Sequence, residues 1–318
     1  MDEFPDRLFD DDWARDAEKR AKRRYRRAAW RWRIRRVITN PLVLVLVAIT
    51  AATAVWFARG GFDAGTPNNS ASASALTPTL DETAKVDLTR PYGGTPAAMW
   101  REGEAGIEPP PAVPVGPYSA EQVGEFMGRV KQVILSARMD PVALEKHDPE
   151  PVLAQLAPGQ ADMIRQKLAP GKEADTNWLW PWITDGFHLL PVLPRIKGSM
   201  TPIINDKGEL TIRTNYIVAY AFDVADPKRL RGPMDIVVVA RQELEYRLID
   251  DPKYRAGSAG IWFGPGRGHR YAVNCAQARL GLMAPSYSDP DRTPTPPSRN
   301  KEDYFNPDIP IPTENGCL

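Results

Sequence analysis

The chain has 318 residues, with 41 Lys and Arg against 40 Asp and Glu, for a formal net charge of +1 at pH 7. The sum hides an asymmetry: residues 1–36 carry thirteen bases and eight acids, a net of +5, and the remainder 28 bases and 32 acids, a net of −4. The acidic remainder lacks the basic field that nucleic-acid binding requires, and 32 prolines, about twice the usual frequency, point to long stretches of linker.

Residues 1–36 read as a cytoplasmic segment in two parts. The tip, from Asp2 to Trp13, mixes acids with Phe4, Leu8, Phe9 and Trp13. Phe9 and Trp13 are the candidate docking residues for a cytosolic protein; a solvated tail is the competing reading. From Lys19 to Arg36 a basic helix follows, ending in Arg31, Arg33, Arg35 and Arg36. Such a flank is drawn to anionic lipid of the inner leaflet, at about 1 kcal/mol per base.

Residues 37–58 are predicted to span a membrane. Val37 to Phe57 holds no charged residue, and a spanning helix needs about 20 apolar residues. A cleaved signal peptide has a shorter apolar region closer to the N-terminus, and both flanks are too polar to supply a core for a buried helix. The basic flank stays cytoplasmic by the positive-inside rule, so the span orients everything from Arg59 onward outside the cell. Trp30, Trp32 and Trp56 suit the two interfaces. The expected location is the cell membrane, single-pass, with an extracytoplasmic C-terminal domain.

Residues 59–117 read as a Gly-, Ser- and Pro-rich linker without an apolar period, whose Tyr92, Met99 and Trp100 form a patch for docking onto the domain. A globular domain is predicted over 118–283. Ser119 and Gln122 have capping-box spacing, and Val123, Phe126, Met127, Val130, Val133, Ile134 and Ala137 recur at helical spacing. Asp140-Pro141 ends this helix and starts the next. Short helices follow, then an aromatic cluster of Trp178, Trp180, Trp182 and Phe187, read as core with a ligand wall as the alternative.

The period then changes to two. Arg195 to Ile204 reads as a strand broken at Pro202, and Asn205 to Gly208 as a turn. Leu210, Ile212, Thr214, Tyr216, Val218, Tyr220 and Phe222 alternate along one face of a second strand. A third carries Ile236, Val238, Ala240, Leu244, Tyr246 and Leu248 on one face and Glu243, Glu245 and Arg247 on the other. Ile261–Phe263 and Tyr271–Cys275 read as two short strands. Helices first and antiparallel strands after predict an α+β domain. Residues 284–318 read as an extended proline-rich tail, pinned by Tyr304 and Phe305.

Taken together, the broken helices and long antiparallel strands resemble the cone-shaped fold of the nuclear-transport-factor-2-like superfamily. With the polybasic segment and single span, the chain is similar in architecture to single-span assembly subunits of type IV secretion and conjugation machines. Its Ala, Arg, Asp and Pro richness resembles that of actinobacterial envelope proteins. The resemblance implies a scaffold of a secretion, conjugation or contractile-injection machine, with protein partners on both sides of the membrane and homo-oligomers compatible with that role. It rests on architecture and carries over no site residues.

No catalytic motif, cofactor fingerprint or metal-ligand spacing stands out, so no catalytic, cofactor-binding or metal residue is assigned. The alternative function is a membrane-anchored cell-wall hydrolase, for which Cys275 with His269 offers a thiol nucleophile and Asp235 with Glu243 a carboxylate pair. Gly264 to Arg270 reads as a flexible hairpin, with anion capture by its backbone and by Arg267 and Arg270 as the alternative. Cys275 and Cys317, the two cysteines, are expected to form an intramolecular disulfide in an oxidising compartment.

Overall fold

A computed structural model describes residues 79–250, 257–289, 300–312 and 317. The expected docking tip, basic flank and span over 1–58 lie outside the described residues. Among the described residues no helix is long and apolar enough to cross a membrane.

The first long helix, α1 (Ala120–Arg138), begins at a capping box: the Ser119 hydroxyl accepts from the Gln122 N–H while the Gln122 side chain accepts from the Ser119 N–H. Its stripe of Val123, Phe126, Met127, Val130, Val133, Ile134 and Ala137 is buried, as the helical spacing predicts. Asp140 then accepts from the N–H groups of Val142 and Ala143 to start α2 (Pro141–Lys146), with Pro141 in the first turn, where its missing N–H costs nothing. His147 closes α2 in the left-handed region, at φ 53°. Its Nε2 donates to the Ile183 carbonyl at 2.6 Å, and its ring stacks on Trp182. Two short helices, α3 (Glu150–Leu153) and α4 (Pro158–Arg165), complete the helical layer.

Five strands form one antiparallel sheet in chain order: β1 (Arg101–Glu102), β2 (Arg195–Ile204), β3 (Leu210–Ala221), β4 (Val237–Ile249) and β5 (Gly260–Tyr271). The domain is therefore α+β. One face buries Leu210, Ile212, Tyr216, Val218 and Tyr220 of β3, and Phe222 just after it, with Val238, Ala240, Leu244 and Tyr246 of β4 against the α1 stripe, Trp180 and Trp182. The aromatic cluster is core at these two tryptophans, which are stacked 5.2 Å apart.

The opposite face is apolar too. Ile217, Ala219 and Ala221 of β3, Val237 and Val239 of β4 and Tyr271 of β5 form a second core with Tyr92, Ala97, Trp100, Leu190 and Phe305. Its cover comes from the segments expected to be linker and tail. Residues 79–107 lie on the domain instead of running free: Arg195 Nη1 donates to the carbonyls of Ala97, Ala98 and Trp100, and its guanidinium sits over the Tyr92 ring. Tyr92 and Trp100 of the expected patch are buried, while Met99 is exposed. From the tail, Phe305 meets Trp100 edge-on and Tyr304 stacks on Tyr271 at 4.0 Å. Apolar residues spaced irregularly through a proline-rich segment carry no period, but they cover a sheet face as well as a helix does.

Three strand expectations are corrected. Pro202 does not break β2, which pairs with β3 through Pro202↔Ile212. β1 borders β2 only at Arg195 and Ile196, so the β2 edge beyond requires no N–H from Pro202. The two short strands and hairpin expected over Ile261–Cys275 are instead one strand, β5, paired with β4 from Ile249↔Gly260 to Val239↔Tyr271 with one register shift. Glycines 264 and 266 lie close over β4: an added Cβ would meet the Glu245 Cβ at 2.9 Å and the Leu244 Cδ1 at 2.6 Å, respectively. Cys275 ends no strand; it opens the short helix α5 (Cys275–Arg279), capped by Asn274. Ile236 joins the second core and not the face of Val238, because it precedes β4 in a helical turn.

Candidate functional site

Arg138, the last residue of α1, and residues of β4 and β5 line a cavity of about 320 Å³. Its lining includes Arg138, Asn177, Trp178, Ala240, Arg241, Gln242, Arg270 and Val273, with Pro312 and Cys317 from the tail. Arg138 follows Ile134 by four residues, so the helix carries this base on its apolar stripe, where it is 6% exposed.

Two guanidiniums come together here. Arg138 Nη2 donates to the Trp178 carbonyl at 2.8 Å, and Arg270 Nη2 donates to the adjacent Asn177 carbonyl at 3.0 Å. Arg270 Nη1 donates to the carbonyls of Gly281 and Leu282. Gln242 Nε2 also donates to the Trp178 carbonyl, and the Trp178 ring is held edge-on by Phe263. Among the described residues neither guanidinium pairs with a carboxylate. Burial, and next the charge of Arg138, push Arg270 down to about 10, with Tyr220 acting the other way. The cavity offers N–H donors, positive charge and an aromatic wall, which suits it to holding an anion.

The bridge lies at the border of the same cavity. Cys275 and Cys317 form a disulfide with Cα atoms 5.1 Å apart, and Arg279 Nη2 donates to the Cys317 carbonyl. The tail is also held farther back by Arg241, which is 3% exposed and hydrogen-bonds the carbonyls of Asn306, Pro307 and Ile309. Burial pulls Arg241 below its usual range, against the opposing charge of Glu243.

The other residues singled out from sequence fall as follows. Phe9, Trp13, Arg31, Arg33, Arg35 and Arg36 lie outside the described residues. With Cys275 in the bridge, no thiol is left beside His269, whose ring lies 4.4 Å from Tyr271. Asp235 precedes β4 and its carboxylate accepts from the Arg231 N–H. Glu243 sits six residues into β4, about 20 Å along at strand rise, and pairs with Arg241 and Arg267; a glycosidase pair stands at about 5–10 Å. Gly264 to Gly268 belong to β5, so they form no anion-holding loop; Arg270, considered with them, lines the cavity instead. Arg138, Gln242 and Asn177 escaped the sequence reading. The signal that could have found Arg138 is its place on the α1 stripe. Among the described residues no three His, Cys, Asp or Glu side chains are grouped to hold a metal. Comparison with protein-family models, with curated proteins and with solved structures returned no match.

Proposed function

We propose that the chain is a single-pass, membrane-anchored scaffold or assembly subunit of a cell-envelope machine, with a cytoplasmic docking tip and an extracytoplasmic interaction domain. The observation that carries this reading is the Cys275–Cys317 bridge, because disulfides persist in oxidising compartments. It agrees with the outward orientation expected from the basic flank before Val37. Helices laid on one face of an antiparallel sheet support a nuclear-transport-factor-2-like cone as the finer description of the domain. The hydrolase reading loses support from the geometry: its thiol is bridged, and Asp235 precedes β4 while Glu243 lies six residues into it.

The test has two parts. Protease added to spheroplasts carrying the full chain should digest the region after the span and leave an N-terminal tag protected; protection of the C-terminal region instead refutes the orientation. Mild-detergent purification of the tagged chain should bring down stoichiometric partners, and Phe9→Ala with Trp13→Ala should abolish cytoplasmic recruitment while membrane insertion continues. Recruitment unchanged by the double substitution removes the docking role from the tip.

A further inference from the structure

We propose that the Arg138–Arg270 cavity is a binding site for an organic carboxylate, its head on the two guanidiniums and a flat apolar body against Trp178. The inference stands apart from the scaffold reading and depends only on the described domain.

Two like charges held on adjacent carbonyls repel each other, and a buried guanidinium without an anion bears most of its desolvation penalty uncompensated. Here Arg138 and Arg270 are tied to the neighbouring carbonyls of Trp178 and Asn177, so they cannot swing apart without breaking those bonds. Carbonyl acceptors orient a guanidinium but do not neutralise it. The lowered pKa of Arg270 points the same way. A fold held together by packing alone would place an apolar residue at position 138, as it does at 123, 127, 130 and 134 on the same stripe. The arginine there supplies a charge to the cavity lining.

The shape and lining select the ligand class. About 320 Å³ lies at the small end of ligand pockets, which bury most of a compact organic molecule. Guanidinium edges match the two coplanar oxygens of a carboxylate. Gln242 adds an amide to the lining, and Trp178, Ala240 and Val273 add apolar groups to it. Phe263 holds the Trp178 ring edge-on, so that surface exists before anything binds.

Benzoate is the probe, with benzamide as its neutral isostere and inorganic phosphate as an anion without an apolar body. Isothermal titration on the full-length chain in detergent micelles should give saturable benzoate binding and a concentration-dependent rise in melting temperature. Benzamide and phosphate should bind much more weakly. Arg138→Gln and Arg270→Lys should each weaken benzoate by about thirtyfold or more. Arg270→Lys keeps the charge and guards against a variant that fails to fold. Absence of saturable benzoate binding by the wild-type chain overturns the proposal. So does benzamide or phosphate binding as tightly as benzoate, and neither of those results requires a variant. Unchanged benzoate affinity in a folded Arg138→Gln chain overturns it as well.

Discussion

Arg241 of β4 donates through Nη2 to the carbonyl of Pro307 at 2.6 Å, and Asn215 of β3 donates to that same oxygen at 2.8 Å. A sheet face thus holds an irregular, proline-rich segment through its backbone. Arg195 does the same for the segment before α1, through the carbonyls of Ala97, Ala98 and Trp100. A guanidinium suits this task because its several N–H donors fan out in one plane. An irregular segment, in turn, has carbonyls that no ladder uses. The two arginines explain how chain without periodic structure forms a layer of the fold.

Arg241→Met keeps the stem and removes the donors. It strands the carbonyls of Asn306 and Ile309 and leaves Pro307 to Asn215 alone, so stability should fall by about 2–4 kcal/mol, read from urea unfolding of the full chain. Amides within 300–312 should lose hydrogen-exchange protection while those of α1 keep theirs. If protection over 300–312 is unchanged, the aromatic contacts of Tyr304 and Phe305 alone hold the tail.

The bridge acts on the same tail through a different term. Cys275 and Cys317 are separated by 42 residues, and closing a loop of that length in the unfolded chain is worth about 4 kcal/mol by the chain-entropy estimate. Cys275→Ser with Cys317→Ser should lower the urea midpoint accordingly, and reductant should do the same to the wild type and nothing to the variant. Alkylation of both cysteines in unreduced protein would show that the bridge does not form.

Periodic structure was legible in the sequence and aperiodic structure was not. The α1 stripe and the β3 alternation are buried as read, because one buried face imposes one period. The second buried face of β3 was not read, although Ile217 to Ala221 is an unbroken apolar run, and no pattern says which segment covers it; Trp100 and Phe305 lie far from β3 in sequence and from each other. β5 was hidden for the opposite reason. Its Gly264-Pro265-Gly266 has the composition of a turn, and only pairing with β4 makes it a strand. The cavity was half legible: Arg270 drew notice for its glycine neighbours, while Arg138 was passed over, a base being ordinary in the last turn of a helix.

The strand reading of Gly266 makes a testable claim. An added Cβ there would meet the Leu244 Cδ1 at 2.6 Å and the Glu243 carbonyl at 3.2 Å. Gly266→Ala should therefore cost about 1–3 kcal/mol through overpacking against β4. In a solvated hairpin loop the same change would stay within about 0.5 kcal/mol. A stability change that small, measured by urea unfolding, would return the segment to a loop.

Four buried tyrosines set the alkaline limit of the fold. Burial raises Tyr216 and Tyr220 to about 12 and pushes Tyr92 and Tyr246 upward as well. Tyr220 is fully enclosed, and its hydroxyl donates to the Arg138 carbonyl at 3.0 Å. An unfolded tyrosine titrates near 10, so between about 10 and 12 the folded chain binds more protons than the unfolded one, and stability falls as pH rises. The contribution is fully present below 10 and is lost as pH climbs through the folded values. Unfolding free energy should thus show no tyrosine-linked slope from pH 7 to about 9 and decline above 10. The tyrosinate absorbance of these four residues should emerge together with loss of near-ultraviolet circular dichroism, because each ring must leave the core to ionise. Tyr220→Phe should flatten the alkaline slope while costing about 1 kcal/mol at neutral pH from the lost hydrogen bond. If all the tyrosine absorbance appears near pH 10 with the dichroism intact, these rings are not held in the cores as described.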